Sequence, residues 1–561
     1  MTKKEKKVAL ILCLIACGQQ LINVFISFDA DTAYALTMSY RMALGDKMLV
    51  DMWEPHQTSA FLLAGLIRLF RYFTGSNTGI VLFANGMGII INLILVIMIY
   101  RFFKDRMDPL LLFLMCLFMV IARPKGYLLP DFSNMQIWFL TLTLLCLLQY
   151  FDGGRKQRWI FLASIFLCLE IIAYPSCVIT YIGVVFLFWL YSDRKWRNIL
   201  SFSAACFAQG MAYITYFVLS RGYTECRENI GYLLLGDSAH EGFRFRSSFF
   251  RPLGVAAVWL LCCLILSAIM VYVDRKIKKR EVVSKKETVY LVVRWFFFIA
   301  LITNCIGKIV RKIWLQNAMH SVWLTLSALY LVMFGVALLG LKYCSEREKR
   351  QMIIGYVLSF GSLLAVITLT NLDFLSAVSY MLPAVMVSYV PMYKLIDHYE
   401  DNAVRLHKML PFLALFAVVA VNTSINLADC RGMIKKGPAI GVVTNYMDSL
   451  KFNVSMEEWG DYVHPGESLV VVGGGGLNTI EYLYEDTAVG MHSVMCDPTY
   501  NEILLKYWQL HPERYPDVIA VESWYGDLRV DEDDWIMHWI EEKYQPAVYE
   551  DKEFWRFYRK K

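Results

Sequence analysis

Apolar runs long enough to cross a bilayer recur through most of this 561-residue chain. Each holds roughly 17–25 residues, and about 30 Å of hydrocarbon needs about 20 helical ones. Backbone polar groups cannot stay unpaired in lipid, so such runs are helices or the strands of a closed barrel. Barrel strands would be shorter and would alternate in polarity. The pattern therefore predicts an α-helical polytopic membrane protein. Composition agrees, since 57% of residues are apolar and only 19% charged, more apolar surface than one water-facing core can cover.

The first run spans Val8–Phe28 behind the basic start Met1-Thr-Lys-Lys-Glu-Lys-Lys. It is too long for the apolar part of a signal peptide and reads as a span. Leu14-Ile-Ala-Cys17 resembles a lipoprotein processing box but lies inside the run, where a chance match is the simpler reading. Further spans are expected near Thr78–Phe103, Pro109–Ala122, Met135–Tyr150, Trp159–Tyr174, Cys177–Tyr191 and Ile199–Ser220. Six more follow near Pro252–Val273, Val289–Asn304, Ala318–Leu341, Met352–Thr370, Met381–Met392 and Leu410–Leu427. That makes about thirteen transmembrane helices. Ala33–Leu44 reads as a helix lying in the membrane interface and closed by Gly45, with a second amphipathic segment over Thr58–Tyr72. No internal repeat divides the spans into two similar halves.

Lys and Arg crowd every second loop: 155–158, 194–197, 275–286 and 342–350. The positive-inside trend makes these loops and the N-terminus cytoplasmic. An odd number of spans then puts the C-terminus outside. From about Ala428 the composition becomes that of a soluble domain, with strands at Ser468–Val472 and Asp517–Val521 and helices at Asn478–Tyr484 and Asn501–Gln509. The expected division is a membrane module, 1–427, and an extracytoplasmic α/β domain, 428–561. The run Gly473–Gly476 after the first strand lacks GxGxxG spacing and reads as a tight turn. Basic residues scattered over short loops do not suit nucleic acid. Most cysteines sit in apolar runs and form no CxxC pair, so neither a zinc site nor a disulfide framework is indicated; Cys430 and Cys496 could pair outside the membrane.

The residues that carry chemistry gather in the loop 29–57. Asp29 and Asp31 lie where the first span meets water, and Tyr34, Asp46, Asp51, Trp53, Glu54 and His56 share the loop. Asp31 could cap the Ala33–Leu44 helix, and Asp29 could simply end a span in water. Carboxylates among aromatic rings also suit sugars: the carboxylate takes a hydroxyl proton and the ring covers the apolar face. Asp131, after Pro130, lies in the next outer loop, 123–134, and is a turn residue unless the two loops meet. Arg244, Arg246 and Arg251 in the loop 221–251, and Lys308, Arg311 and Lys312 on one helical face, are basic on the side where the trend disfavours it. They fit anionic headgroups or the phosphate of a lipid-linked substrate. Tyr380 and Pro383 read as an interfacial aromatic and a helix-start proline.

With Asp31-Thr-Ala-Tyr34, Gly45-Asp46 and Glu54-Pro-His56-Gln-Thr-Ser in sequence after a first span, the chain resembles the GT-C superfamily of membrane glycosyltransferases. The protein O-mannosyltransferase and aminoarabinose-transferase branch is nearest. Thr32 stands where that branch has Glu, and Pro55-His56 is all that remains of its Pro-Pro element. The resemblance implies a polyprenyl-phosphate sugar donor, a cell-envelope acceptor and transfer on the outer membrane face. It also implies that Asp31, or Asp29, is catalytic, with Tyr34, Glu54, His56, Asp131 and the basic residues contacting substrate. Some relatives use a divalent metal, for which Asp29, Asp31, Glu54 and His56 would be the ligands here; no cofactor is otherwise implied. A lipid-linked-sugar transporter or flippase would instead show paired charges in spans, of which Glu170 is the main instance. A polysaccharide polymerase or ligase would use a late basic loop such as that holding His240 and Arg244–Arg251.

Overall fold

A computed structural model describes residues 2–26, 28–54, 56–125, 128–235, 246–277, 284–315, 319–370, 372–400, 404–424, 430–473, 475–484, 486–496, 501–525, 527–547 and 554–561. Over the described residues, all thirteen apolar runs fall on helices. The first eight helices are α1 Lys3–Ile26, α2 Ala30–Leu44, α3 Phe61–Thr74, α4 Ile80–Phe103, α5 Pro109–Ile121, α6 Phe132–Asp152, α7 Gln157–Ala173 and α8 Val178–Tyr191. Long helices follow at Lys195–Arg221, Arg251–Ile277, Lys285–Leu315, Met319–Gly340, Glu346–Leu369, Leu382–Tyr399 and Leu410–Ser424. Among the described residues, seven helices have both the length and the apolar composition to cross a membrane. Their outward faces stay apolar: Leu200, Phe207, Val255, Val258 and Leu261 are all exposed, as a lipid-facing surface requires. The inner faces build one continuous core that runs from α1 and α4 to the last long helix.

The C-terminal region is α/β. The sheet order is β4-β3-β5-β8-β7, from Ala488–Val489, Ser468–Val472, Val518–Trp524, Trp555–Lys560 and Tyr544–Pro546. β3 pairs parallel with both β4 and β5, in register Leu469 with Val518, which explains its unbroken Val-rich sequence: both faces are covered. The short hairpin β1 Gly432–Met433 with β2 Val443–Thr444 precedes it, and β6 Asp527–Leu528 hairpins back on β5. The segment after the glycine turn, Gly475–Leu483, is a 3-10 helix. No disulfide joins Cys430 and Cys496, so the cross-link considered for them is not formed.

The helix after the first span is packed inside the protein. α2 ends at Gly45 as its sequence predicts, with φ +115 and the Gly45 N–H donated to Arg41 and Met42 carbonyls. Protein covers most of its surface. Ala33, Leu36, Met38, Tyr40 and Arg41 are all buried, because the helix Gly475–Leu483 packs along it. A second core therefore mixes Ala33, Leu36, Tyr40, Leu63 and Ile80 with Val470, Tyr482, Val518 and Trp555. The loop 29–57, α3 and the α/β region share that core.

Candidate functional site

The start of α2 gives its two aspartates different positions. Asp29 has extended backbone, and its carboxylate accepts the Thr32 N–H at 3.0 Å, the geometry of an N-cap. Asp31 sits in the first turn, where the helix dipole favours negative charge. Its Oδ2 accepts the Lys125 ammonium at 3.0 Å. The Asp31 side chain remains 41% exposed while that of Lys125 is 10% exposed, so the carboxylate opens toward solvent and the lysine lies beneath it.

Lys125 arrives from the loop between α5 and α6, which Gly88 of α4 pulls against the bundle. A Cβ on Gly88 would overlap the Leu128 carbonyl oxygen. The loop then closes on its own helix: Asn134 Nδ2 donates to Leu129 O at 2.9 Å and Asp131 caps α6 through the Asn134 N–H at 2.8 Å. The two loops holding Asp31 and Asp131 therefore do meet. Asp131 is 2% exposed, and its Oδ2 has no hydrogen-bond partner among the described residues. Burial pushes its carboxyl up to about 6, opposed by the Asn134 N–H and the Lys125 charge and assisted by the nearby Asp31. Burial opposes the Lys125 charge, but Asp31 and then Asp131 outweigh it and hold the ammonium above its usual value.

Aromatic rings form the wall. Lys125 Nζ lies 4.8 Å from the Phe132 ring centroid, and His56 stacks flat on the same ring at 4.3 Å and 8°. Tyr174 closes a corner 5.7 Å from His56 and 5.8 Å from Phe132. Tyr380, 1% exposed, shares a 2.8 Å hydrogen bond with Ser133 and feels the charge of both Asp131 and Asp31. Four distant stretches of chain thus surround one carboxylate, one ammonium and one raised carboxyl.

Other expected residues lie elsewhere. Tyr34 donates to Glu54 at 2.6 Å, and the other Glu54 oxygen accepts from Ser493 and, at 3.4 Å, from the Val494 N–H. That pair ties the loop to the α/β region. Arg41 does likewise, bonding Asp46 at 2.8 Å and the Ser493 carbonyl at 2.8 Å, with Arg514 reaching Asp46 at 2.6 Å. Arg71 holds Asp486 by two bonds. The four metal ligands considered from sequence are therefore not gathered: Asp29 caps a helix, Glu54 turns to Ser493 and His56 lies on Phe132. Among the described residues no three His, Cys, Asp or Glu side chains are placed to hold a metal. Arg246 is exposed in the turn before Arg251–Ile277. Arg244 and His240 lie outside the described residues, as do the side chains of Lys308, Arg311 and Lys312.

Sequence reasoning missed the basic residues that do reach this end of the bundle. Arg123 is 6% exposed, and among the described residues its Nε has no partner; its terminal nitrogens reach Gln20 Oε1 and the Ala122 carbonyl, each at 3.5 Å. Both polar atoms of Gln19 and the Gln20 Nε2 are likewise buried without partners among the described residues. A guanidinium with no carboxylate beside it is an anion receptor by its chemistry. The available signal was position: Arg123 and Lys125 share the short loop of Asp131. Tyr380, read as an interfacial aromatic, instead lines the site.

No family model matches this chain, and no curated protein does. Among solved structures it is similar to the oligosaccharyltransferase of Archaeoglobus fulgidus tethered to an acceptor peptide. That match has 11% identity and a TM-score of 0.45, covering 93% of this chain and 69% of the other. A structure of an Archaeoglobus fulgidus oligosaccharyltransferase, AglB, with an inhibitory peptide and a dolichol-phosphate gives 12%, 0.44, 92% and 69%. One with zinc and sulfate gives 12%, 0.43, 91% and 67%. Likeness at this level assigns neither family nor activity.

Proposed function

We propose that this chain is a membrane glycosyltransferase that moves a sugar from a polyprenyl-phosphate donor to a hydroxyl of a cell-envelope acceptor on the outer face of the membrane. The observation that carries the reading is the Asp31 carboxylate: relieved of capping by Asp29, oriented by Lys125 and open to solvent beside an aromatic wall. Residues 1–427 carry the transfer and 428–561 form the extracytoplasmic domain, with the N-terminus in the cytoplasm.

Asp31 is the base. It accepts the acceptor hydroxyl's proton as that oxygen bonds to the anomeric carbon. The bond from that carbon to the lipid phosphate oxygen breaks, its electron pair stays on the phosphate, and Asp31 passes its proton to water. A phosphate leaves readily, so no strong acid is needed. Arg123 pairs with the donor phosphate through parallel N–H donors, with Gln19 and Gln20 as amide neighbours. His56, Phe132 and Tyr174 cover the sugar ring's apolar face, and Asp131 and Tyr380 accept or donate to its hydroxyls. Arg246, and Lys308, Arg311 and Lys312 on their later helix, stay as contacts for the lipid carrier or membrane headgroups.

The test is incorporation of label from a polyprenyl-phosphate sugar pool into the envelope, at matched membrane levels of wild type, Asp31→Asn and Asp29→Asn. The expected result is a loss of about 10²–10⁴-fold in Asp31→Asn, the scale of general-base removal, and near-normal transfer in Asp29→Asn. Unchanged transfer in both would return the loop to a structural role and favour transport of lipid-linked sugar.

A further inference from the structure

We infer that the Lys125 ammonium is the resident cation of the acidic site and stands in the place a divalent metal would need between Asp31 and Asp131. Two carboxyl groups from separate loops meet within electrostatic reach of one another. With Asp131 buried beside it, such a pair needs a positive partner, supplied by a metal ion or by a side chain.

Here the side chain has the place. Lys125 Nζ bonds Asp31 Oδ2 at 3.0 Å. Asp131 Oδ1 is engaged by the Asn134 N–H, and Asp131 also feels the Lys125 charge. The lysine is held from below by the Phe132 ring at 4.8 Å, a cation–π contact that fixes the ammonium under the carboxylate. A hard divalent ion would need about six oxygen ligands around this point. With Asp31 and Asp131 as its carboxylates and water in the remaining positions, such an ion would need the Asp31 oxygen that Nζ already holds. Metal and ammonium would also repel each other at such range. Lys125 is a positioning residue: it keeps Asp31 ionised and aimed.

The placement of the cation does not depend on the reaction; its consequence for transfer rests on the glycosyltransferase reading. Two measurements separate them. In the first, full-length protein in lipid nanodiscs is titrated with Mn²⁺, and free Mn²⁺ is read by electron paramagnetic resonance. Wild type takes up no ion in an Asp31-dependent way. Lys125→Met, which keeps the apolar stem over Phe132, takes up one Mn²⁺ per chain, and Lys125→Met with Asp31→Asn takes up none. Lys125→Ala serves if the methionine variant does not run as a single folded species. Asp31-dependent Mn²⁺ uptake by wild type overturns the inference. So does a folded Lys125 variant that binds no ion, because the ammonium then excludes nothing.

In the second measurement, label transfer is followed with EDTA and with Mn²⁺. Wild-type transfer is unchanged by EDTA, whereas Lys125→Met loses transfer and regains part of it with Mn²⁺. EDTA-sensitive wild-type transfer restored by Mn²⁺ overturns the inference. Absence of transfer in every protein, with the Mn²⁺ binding pattern intact, retires the glycosyltransferase reading and leaves the cation assignment standing.

Discussion

Asp29 and Asp31 carry the same group two residues apart, and the helix start separates their work. Asp29 holds the Thr32 N–H. Replacing an N-cap aspartate by alanine costs about 1 kcal/mol, whereas asparagine caps as well as aspartate does. Asp29→Ala should therefore lower thermal stability modestly and Asp29→Asn hardly at all, with transfer following the amount of folded protein in both. The contrast with Asp31→Asn, which leaves the cap intact and removes the base, is read from melting curves and label transfer on the same samples. Asp131 adds a pH signature. Its carboxyl titrates near 6 because burial disfavours its charged form. Raising pH through about 6 places a second negative charge near Asp31 and makes Asp31 a better proton acceptor. The transfer rate should rise across that interval in wild type, and the inflection should vanish in Asp131→Asn. A profile with the same inflection in the variant would assign it to another group.

At the scale of elements, the loop between α5 and α6 depends on one glycine. Leu128 lies against Gly88, where a Cβ would strike its carbonyl oxygen. Backbone cannot move aside as a side chain can. Gly88→Ala should therefore displace the loop that carries Lys125 and Asp131, at a cost of about 1–3 kcal/mol, as overpacking does. Gly86→Ala, on the same helix with open space at its Cβ, is the control. Transfer and thermal stability should fall together in the first and neither in the second; equal behaviour would mean the loop tolerates the shift. The helices themselves were legible because lipid imposes a length and a polarity on each, and Gly45 marked the end of α2 by its left-handed conformation. What covers a helix was not legible. The apolar face of α2 reads the same whether lipid or the segment Gly475–Leu483 lies on it, and only the fold brings in the latter. The pairing of Asp31 with Lys125 was hidden for a similar reason. It joins residues 94 positions apart, and neither local period nor spacing encodes such a contact.

For the whole molecule, the shared core means that loop 29–57 and the α/β region stand or fall together, so charges buried far from Asp31 bear on it. Lys451, Glu458, Glu481 and Glu522 are all buried on one seam of that region. The single lysine bonds Glu522 and Asn478, and both Glu481 oxygens lack partners among the described residues. Burial pushes the Glu481 carboxyl up to about 8; Lys451 opposes the shift, and Glu522 and Glu458 add to it. His492 is opposite in sense. Burial, helped by Arg41, lowers it to about 3. The signs follow by linkage. Glu481 binds its proton more tightly when folded, so its contribution is complete below the unfolded carboxyl range and is lost as pH rises through about 8. His492 binds its proton less tightly when folded, so its contribution is present above about 6.5 and is lost as pH falls toward about 3. Glu481→Gln keeps the size and removes the ionisation. It should melt at a higher temperature than wild type at pH 8–9, by an amount on the order of a few kcal/mol, with the gap closing toward pH 5. The acid limb set by His492 should survive unchanged in the variant. Melting curves of both proteins from pH 4 to 9, with the accessibility of Asp31-loop amides followed by hydrogen exchange, check this. Alkaline loosening of the loop in wild type, absent from Glu481→Gln, is expected if the α/β region holds the loop in place. Loosening of the α/β region alone would mean that the Arg41, Arg71 and Glu54 ties do not carry the strain across.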